Sequence, residues 1–468
     1  MSDPEVAQVA NVEPPADAQQ VIDKHPYISN KDPATLDSGA AIPVAVEYVD
    51  SQLTELWRDV AEAAQAKGGA QAVTTAQVLN LVVRAASYEA ANSYIEAIER
   101  ITGRHPCRVI VATTDPGEPE LPVQAWVSIH CQIPPTGGRQ VCCEQVTVAA
   151  GGESTRRLPA AVIPLLLPAL PVFLWWPEGD PFDDYIFRNL ADSISRLIID
   201  TSTFENPEGA LAKLASQGRS QWPKIAVSDM NWGRITPWRE MVAAFFDPPS
   251  MRPYLDRISH VQIEYAQPTD RRVHVNRAQA LLVAGWLASR LDWESIENAY
   301  QLTHSESSHV PRARISLKAG KRTVVADLQA VEWKSACPGE LFAITLEIGG
   351  EKPDDPAAAT FTLKLSDKQE SCVICDVAIA GSDPTSRTIQ LRPYEQADLL
   401  DDELEIYSRD TVYEESLAMV GAFIRGTKHS TRSTVMSHKV PSGEPISAAQ
   451  AQQASQHRGG GRPGRPGY

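Results

Sequence analysis

The sequence predicts an α/β protein: an N-terminal, Rossmann-like and mostly parallel sheet with helices on both faces, followed by an α+β part with an antiparallel sheet and terminal helices. Two observations carry this. From Val49 to about Leu291, strand-like runs alternate with helical patterns, the signature of strand–helix–strand units. From Arg312 to Arg392, strand follows strand with turn residues between them, as in a meander. The expected divisions are an acidic tail over 1–40, the α/β part over 41–295, the α+β part over 305–426 and a basic Gly/Pro/Arg tail over 427–468.

Taken in order, Ser51–Ala66 reads as a helix. Thr75–Ile101 reads as a second, because Leu79, Val83, Ala86, Ala90, Tyr94, Ile98 and Ile101 form one stripe that Gly103 stops. Strands are expected at Arg108–Thr113, Gln124–Cys131 and Gln140–Val148, with Gly137-Gly138 and Gly151-Gly152 as hairpin turns. Leu158 to Pro177 is 20 residues without a charge, long enough to cross a bilayer. Its five prolines would each break a spanning helix at about 3 kcal/mol, so a short helix ending near Leu167 and a buried strand Val172–Trp176 are expected instead. Strands at Ser195–Asp200, Lys224–Ser228 and Val261–Tyr265 and helices at Pro207–Ser216, Pro237–Phe246 and Arg277–Leu291 complete the first part. The second has strands between Arg312 and Leu391, then a helix presenting Tyr413, Leu417, Val420 and Ile424 on one face.

Composition narrows the function. The chain carries 43 basic and 59 acidic residues, a net charge of −16, and nucleic acid and anionic membranes both select for basic surfaces. Neither is expected as a partner. Seven cysteines without framework spacing point to a reducing, cytoplasmic setting rather than a disulfide-stapled secreted domain. Dinucleotide, Walker, nucleophile-elbow and H-E-x-x-H signatures are absent from the sequence. No cofactor is expected.

Three groups of residues could bind something. Ligands of open parallel sheets sit beyond the carboxyl ends of the strands, which here are polar: Asp200 and Ser202 after one strand, Asp229, Asn231 and Arg234 after the next, then Arg239 in a helix opened by Thr236 and Pro237. A carboxylate or phosphate could sit there, and the same acids could equally cap helices. Glu395–Glu415 holds nine acids against Arg409, half of the net charge; Asp401, Asp402 and Glu405 are candidate docking acids for a basic partner surface. Cys372 and Cys375 form a C-x-x-C and are the candidate redox pair, although on a strand such residues face opposite ways about 10 Å apart, beyond disulfide reach without a bulge or a partner.

The blocks Arg104-His-Pro-Cys-Arg-Val-Ile110, Leu170-Pro-Val-Phe-Leu-Trp-Trp176, Asp229-Met-Asn-Trp-Gly-Arg-Ile-Thr-Pro-Trp-Arg-Glu240 and Leu282-Val-Ala-Gly-Trp-Leu-Ala-Ser-Arg-Leu291 resemble the glucose-6-phosphate dehydrogenase assembly protein OpcA family in its cyanobacterial form, over roughly residues 50–425. The resemblance implies a non-catalytic protein that binds glucose-6-phosphate dehydrogenase and promotes its active oligomer in the oxidative pentose phosphate pathway. It also implies thioredoxin as a further partner, acting through cysteines. The competing reading from the residues is an enzyme or sensor that takes a phosphosugar or nucleotide at the strand ends.

Overall fold

The computed structural model describes residues 41–66, 77–115, 121–132, 141–268, 274–305, 308–333, 337–349, 358–369, 371–392 and 394–427; both expected tails lie outside these, apart from Thr427. The described residues form two eight-stranded sheets.

The first sheet contains β1 (Ile42–Val44), β2 (Leu79–Ala85), β3 (Cys107–Asp115), β4 (Gln124–Gln132), β5 (Val141–Gly151), β6 (Val172–Trp176), β7 (Arg196–Ile199) and β8 (Ala226–Asp229). Their spatial order is β1-β4-β5-β3-β2-β6-β7-β8. The β5, β3, β2, β6, β7 and β8 pairs are parallel, and β4 and β1 extend the edge antiparallel. Counting only the parallel strands in chain order gives 3-2-1-4-5-6, the doubly wound dinucleotide-fold arrangement, with its switch point between β2 and β6.

Alternate strand residues feed two helix layers, as the pleat requires. Val82, Ile110, Leu174 and Leu197 pack towards α1 (Val49–Ala66), α4 (Leu158–Val162), α5 (Tyr185–Leu190) and α6 (Pro207–Gln221). Leu81, Val83, Val109, Phe173, Trp175 and Ile198 pack the other way, against α2 (Tyr88–Ser93) and α3 (Ile95–Thr102). The helix expected over Thr75–Ile101 is therefore corrected. Leu79–Ala85 is a strand buried on both faces, and such a run of apolar residues fits a helical stripe equally well. Gly151-Gly152 is no hairpin turn either, because it ends β5 and starts the 3₁₀ segment leading to α4.

After α7 (Met230–Arg234), α8 (Thr236–Phe245) and α9 (Arg252–Leu255), the chain builds the second sheet. Its strands are β9 (Ile258–Gln267), β10 (Glu294–Ser305), β11 (Ser308–Ala319), β12 (Arg322–Glu332), β13 (Leu341–Ile348), β14 (Ala359–Leu365), β15 (Cys372–Ile379) and β16 (Thr385–Gln390). The order is β10-β11-β12-β9-β13-β14-β15-β16, antiparallel except for β9 against β12. The strand expected to close the first part at Val261–Tyr265 thus lies in the middle of the second sheet. β10, between expected elements, escaped the sequence pattern.

Three helices join the sheets. α10 (Ala278–Arg290) and α12 (Thr411–Arg425) cross each other and reach α6 and β10. Gly285 permits that crossing, since a β-carbon there would come within 2.5 Å of the Ser416 carbonyl oxygen and 2.7 Å of Val420. The remaining helix, α11 (Gln396–Glu405), turns back. Leu399, Leu400 and Leu404 join Leu79, Leu81, Phe173 and Met230 in one buried cluster, so a helix that follows the second sheet in the chain completes a face of the first. No described helix is long and apolar enough to cross a membrane.

Candidate functional site at the strand ends and the joint between the sheets

The carboxyl ends of β7 and β8 hold a dense polar network. Asp200 caps the turn after β7, accepting from the Ser202 amide, and Asp229 caps α7, accepting from the Asn231 amide. Asp229 also accepts from Thr201, 3.1 Å from its amide and 2.8 Å from its hydroxyl. Asn231 donates to Thr201 Oγ1 and accepts from Gln279 of α10, whose own oxygen takes the Leu341 amide of β13 at 3.0 Å. Asn276 donates to the Thr201 and Ser202 carbonyls. Leu341 of the second sheet is thus linked through Gln279 of α10 to Asn231 at the crest of the first.

Arg234 is spent within this network. Its two terminal nitrogens reach the two Asp200 oxygens at 2.7 and 2.6 Å, and one lies 3.3 Å from Ser202 Oγ. Burial opposes the Arg234 charge, and the Asp200 carboxylate beside it outweighs burial, leaving the pKa raised. The fully buried Asp229 carboxyl is pushed up to about 7 by desolvation and then by the Asp200 charge, against the bonds from Thr201 and Asn231. Of the six strand-end residues anticipated, the fold gathers Asp200, Ser202, Asp229, Asn231 and Arg234. Arg239 stands apart, its guanidinium 3.6 Å over the Trp232 ring and bonded to Thr236 Oγ1; burial lowers its pKa to about 10. Thr236, expected as an N-cap, is already the first residue of α8.

At the switch point, the first turn of the parallel unit reads Ala85-Ala86-Ser87 where a dinucleotide fold has glycines. Arg84 lies with its guanidinium 5.5 Å over Trp176 of β6 and bonds the Ala85 carbonyl and Thr114 of β3. Desolvation lowers the Arg84 pKa. Across the crest, Tyr94 donates to Glu178 at 2.6 Å and packs 5.2 Å from Trp175. The chain's own side chains bridge the place where strand order reverses.

The acidic stretch is largely turned inward. Asp401 is buried and pairs with Arg104 and with His105 Nε2 at 3.0 Å; Glu395 and Asp398 hold Arg100. Asp410 takes Trp232 Nε1 at 2.9 Å, and Glu414 and Glu415 pair with Arg409 and Arg290. Glu403 is buried near Ser228 and Arg196, and desolvation raises its pKa. Asp401 is therefore removed from the expected docking face, because its carboxylate is consumed by Arg104 and His105 in the loop after α3. Asp402 and Glu405 stay exposed.

Cys372 and Cys375 are free thiols of β15; Cys372 donates to Gln390, and Cys375 packs in the main core. The disulfide is elsewhere. Register sets Cys131 of β4 opposite Cys142 of β5 with 4.0 Å between Cα atoms, and the two are bonded. The spacing of the seven cysteines, which shows no disulfide framework, does not anticipate this bond. Pairing Gln124–Cys131 with the following strand would have exposed the juxtaposition.

Two family models match: the glucose-6-phosphate dehydrogenase subunit N-terminal domain over residues 98–216 and its C-terminal domain over 225–417. The chain belongs to the OpcA family. OxPP cycle protein OpcA of Synechocystis sp. is 29% identical over 334 residues, 70% of this chain and 65% of that protein; this chain thus spans just under two thirds of that relative. OpcA of Synechococcus elongatus is also 29% identical, over 70% of each chain. Among solved structures, a 3-ketoreductase from Actinomadura kijaniata aligns with a TM-score of 0.41 at 11% identity, over 75% of this chain and 96% of its own. Myo-inositol dehydrogenase from Lactobacillus casei aligns at 0.40 and 9%, over 76% and 97%. Those two likenesses are too distant to inform the OpcA site.

Proposed function

We propose that this chain is a non-catalytic assembly factor and activator of glucose-6-phosphate dehydrogenase. Membership of the OpcA family supports the partner. The observation that supports a non-catalytic role is the switch point, where Arg84 on Trp176 and Tyr94 on Glu178 occupy the crest that a dinucleotide would need. The phosphosugar or nucleotide reading of the strand ends loses ground for a similar reason, since Arg234 already forms a two-point pair with Asp200.

A binding protein activates by preferring one state of its partner, and it shifts that equilibrium only by its differential affinity for the two states. The dehydrogenase would then show a higher apparent substrate affinity, a higher turnover or a larger oligomer when the chain is present. Co-elution of the two proteins, with substrate saturation curves recorded with and without this chain, tests the reading. Separate elution together with unchanged curves refutes it.

A further inference from the structure

A cavity of about 580 Å³ opens where α7 and α8 meet the second sheet, with Arg234 in its wall. Its walls come from five places in the chain: Arg234 and Trp238 at α7–α8, Gln279 of α10, Trp333 and Glu340 between β12 and β13, the β14–β15 turn with Asp367 and Lys368, and the segment after β16 with Arg392 and Tyr394. The volume falls in the range of small-molecule sites. Arg234 and Gln279 of the strand-end network form part of its wall.

The lining has two kinds of chemistry. Lys368 and Arg392 are exposed and form no salt bridge among the described residues, whereas Arg100, Arg104, Arg108, Arg234, Arg290 and Arg409 are all paired with acids. In a chain of net charge −16, two uncommitted cations at one rim favour an anion. Trp238, Trp333 and Tyr394 contribute aromatic surface, and the Glu340 and Asp367 carboxylates are acceptors suited to hydroxyl groups. Ser371, at the same rim, is held at φ 54°, a conformation that costs a non-glycine residue energy and tends to persist near binding sites.

We infer that this cavity binds a phosphorylated sugar, its phosphate on Lys368 and Arg392, its ring on the tryptophans and its hydroxyls on Glu340 and Asp367. The inference does not rest on the dehydrogenase reading. Occupancy would tie the β14–β15 turn and the segment leading to α11 onto α8, so the ligand would tighten the joint between the sheets.

The test is titration of the full chain with glucose 6-phosphate, read by calorimetry and tryptophan fluorescence, with glucose and inorganic phosphate as controls. Saturable binding is expected for glucose 6-phosphate, with both controls weaker by roughly tenfold or more. K368E together with R392E, both at exposed positions, should weaken binding at least about tenfold while thermal unfolding without ligand is unchanged. W333F should shrink the fluorescence change. No saturable binding up to about 10 mM for glucose 6-phosphate, fructose 6-phosphate and 6-phosphogluconate overturns the inference, as does binding that both variants leave intact. Inorganic phosphate binding as tightly as the sugar phosphates overturns the sugar assignment.

Discussion

Asp401 of α11 reaches back across almost three hundred residues of sequence to His105, its Oδ1 3.0 Å from Nε2, while its other oxygen takes Arg104. An acid that composition suggested was offered to a partner is an internal fastening. Asp401→Lys should lower stability by about 1–3 kcal/mol, because it puts a cation in a buried site beside Arg104 and leaves the largely buried His105 without its acceptor. Asp402→Lys and Glu405→Lys should stay within about 0.5 kcal/mol, as surface changes do. Urea unfolding of the three variants checks this, and equal losses at all three positions would contradict the assignment.

Arg234→Ala leaves Asp200 buried with its countercharge gone, which costs about 3–5 kcal/mol for a buried pair. Adding Asp200→Asn should recover part of that loss, because the stranded charge is then removed. A double-mutant cycle by chemical denaturation measures the recovery; strictly additive losses would show that the pair is not coupled.

Asp229 has a folded-state pKa raised from 3.8 to about 7. Between those values the folded chain binds more protons than the unfolded one, so this group makes stability fall as pH rises through the window, and its effect is constant above about 7. Asp229→Asn cannot ionise. Relative to the parent, the variant should therefore gain stability between about pH 4 and pH 7, by up to about 1.4 kcal/mol per unit. Unfolding midpoints of both proteins across that range give the difference; a flat difference refutes the shift.

Gly285→Ala places a methyl group against backbone at the α10–α12 crossing, where a β-carbon would meet Ser416 oxygen at 2.5 Å. Overpacking of this kind costs about 1–3 kcal/mol. Gly381→Ala, at a turn with no neighbour within 4 Å, should instead lose only what its positive φ of 78° costs, about 1 kcal/mol. Thermal unfolding compares the two.

Much of the fold was legible because its strands are short apolar runs bounded by turn residues. Val172–Trp176 and Arg196–Ile199 follow that pattern, and the helix over Ala278–Arg290 begins and ends within a residue of expectation. Leu79–Ala85 was not legible. A strand buried on both faces has no alternation to show, and its leucines and valines extend the stripe of the helices that follow. The polar ends of β7 and β8 were legible because parallel strands end in polar turns. Their mutual neutralisation was hidden, since Asp200 and Arg234 are 34 residues apart and the Gln279 link to Leu341 spans 62. The Cys131–Cys142 bond was hidden likewise, because register belongs to pairs of strands and neither strand shows it alone.

The position of α11 sets an order of events during synthesis. Leu79, Leu81, Phe173 and Met230 are all made early, yet the leucines that cover them lie at 399, 400 and 404. Until the ribosome has passed the second sheet, the part of that face not covered by α2 and α3 is open to solvent or to whatever else offers an apolar surface. Contacts closed over such sequence separations slow folding. For this chain the interval between making the first sheet and finishing it is when misassembly or capture by a chaperone has its opening.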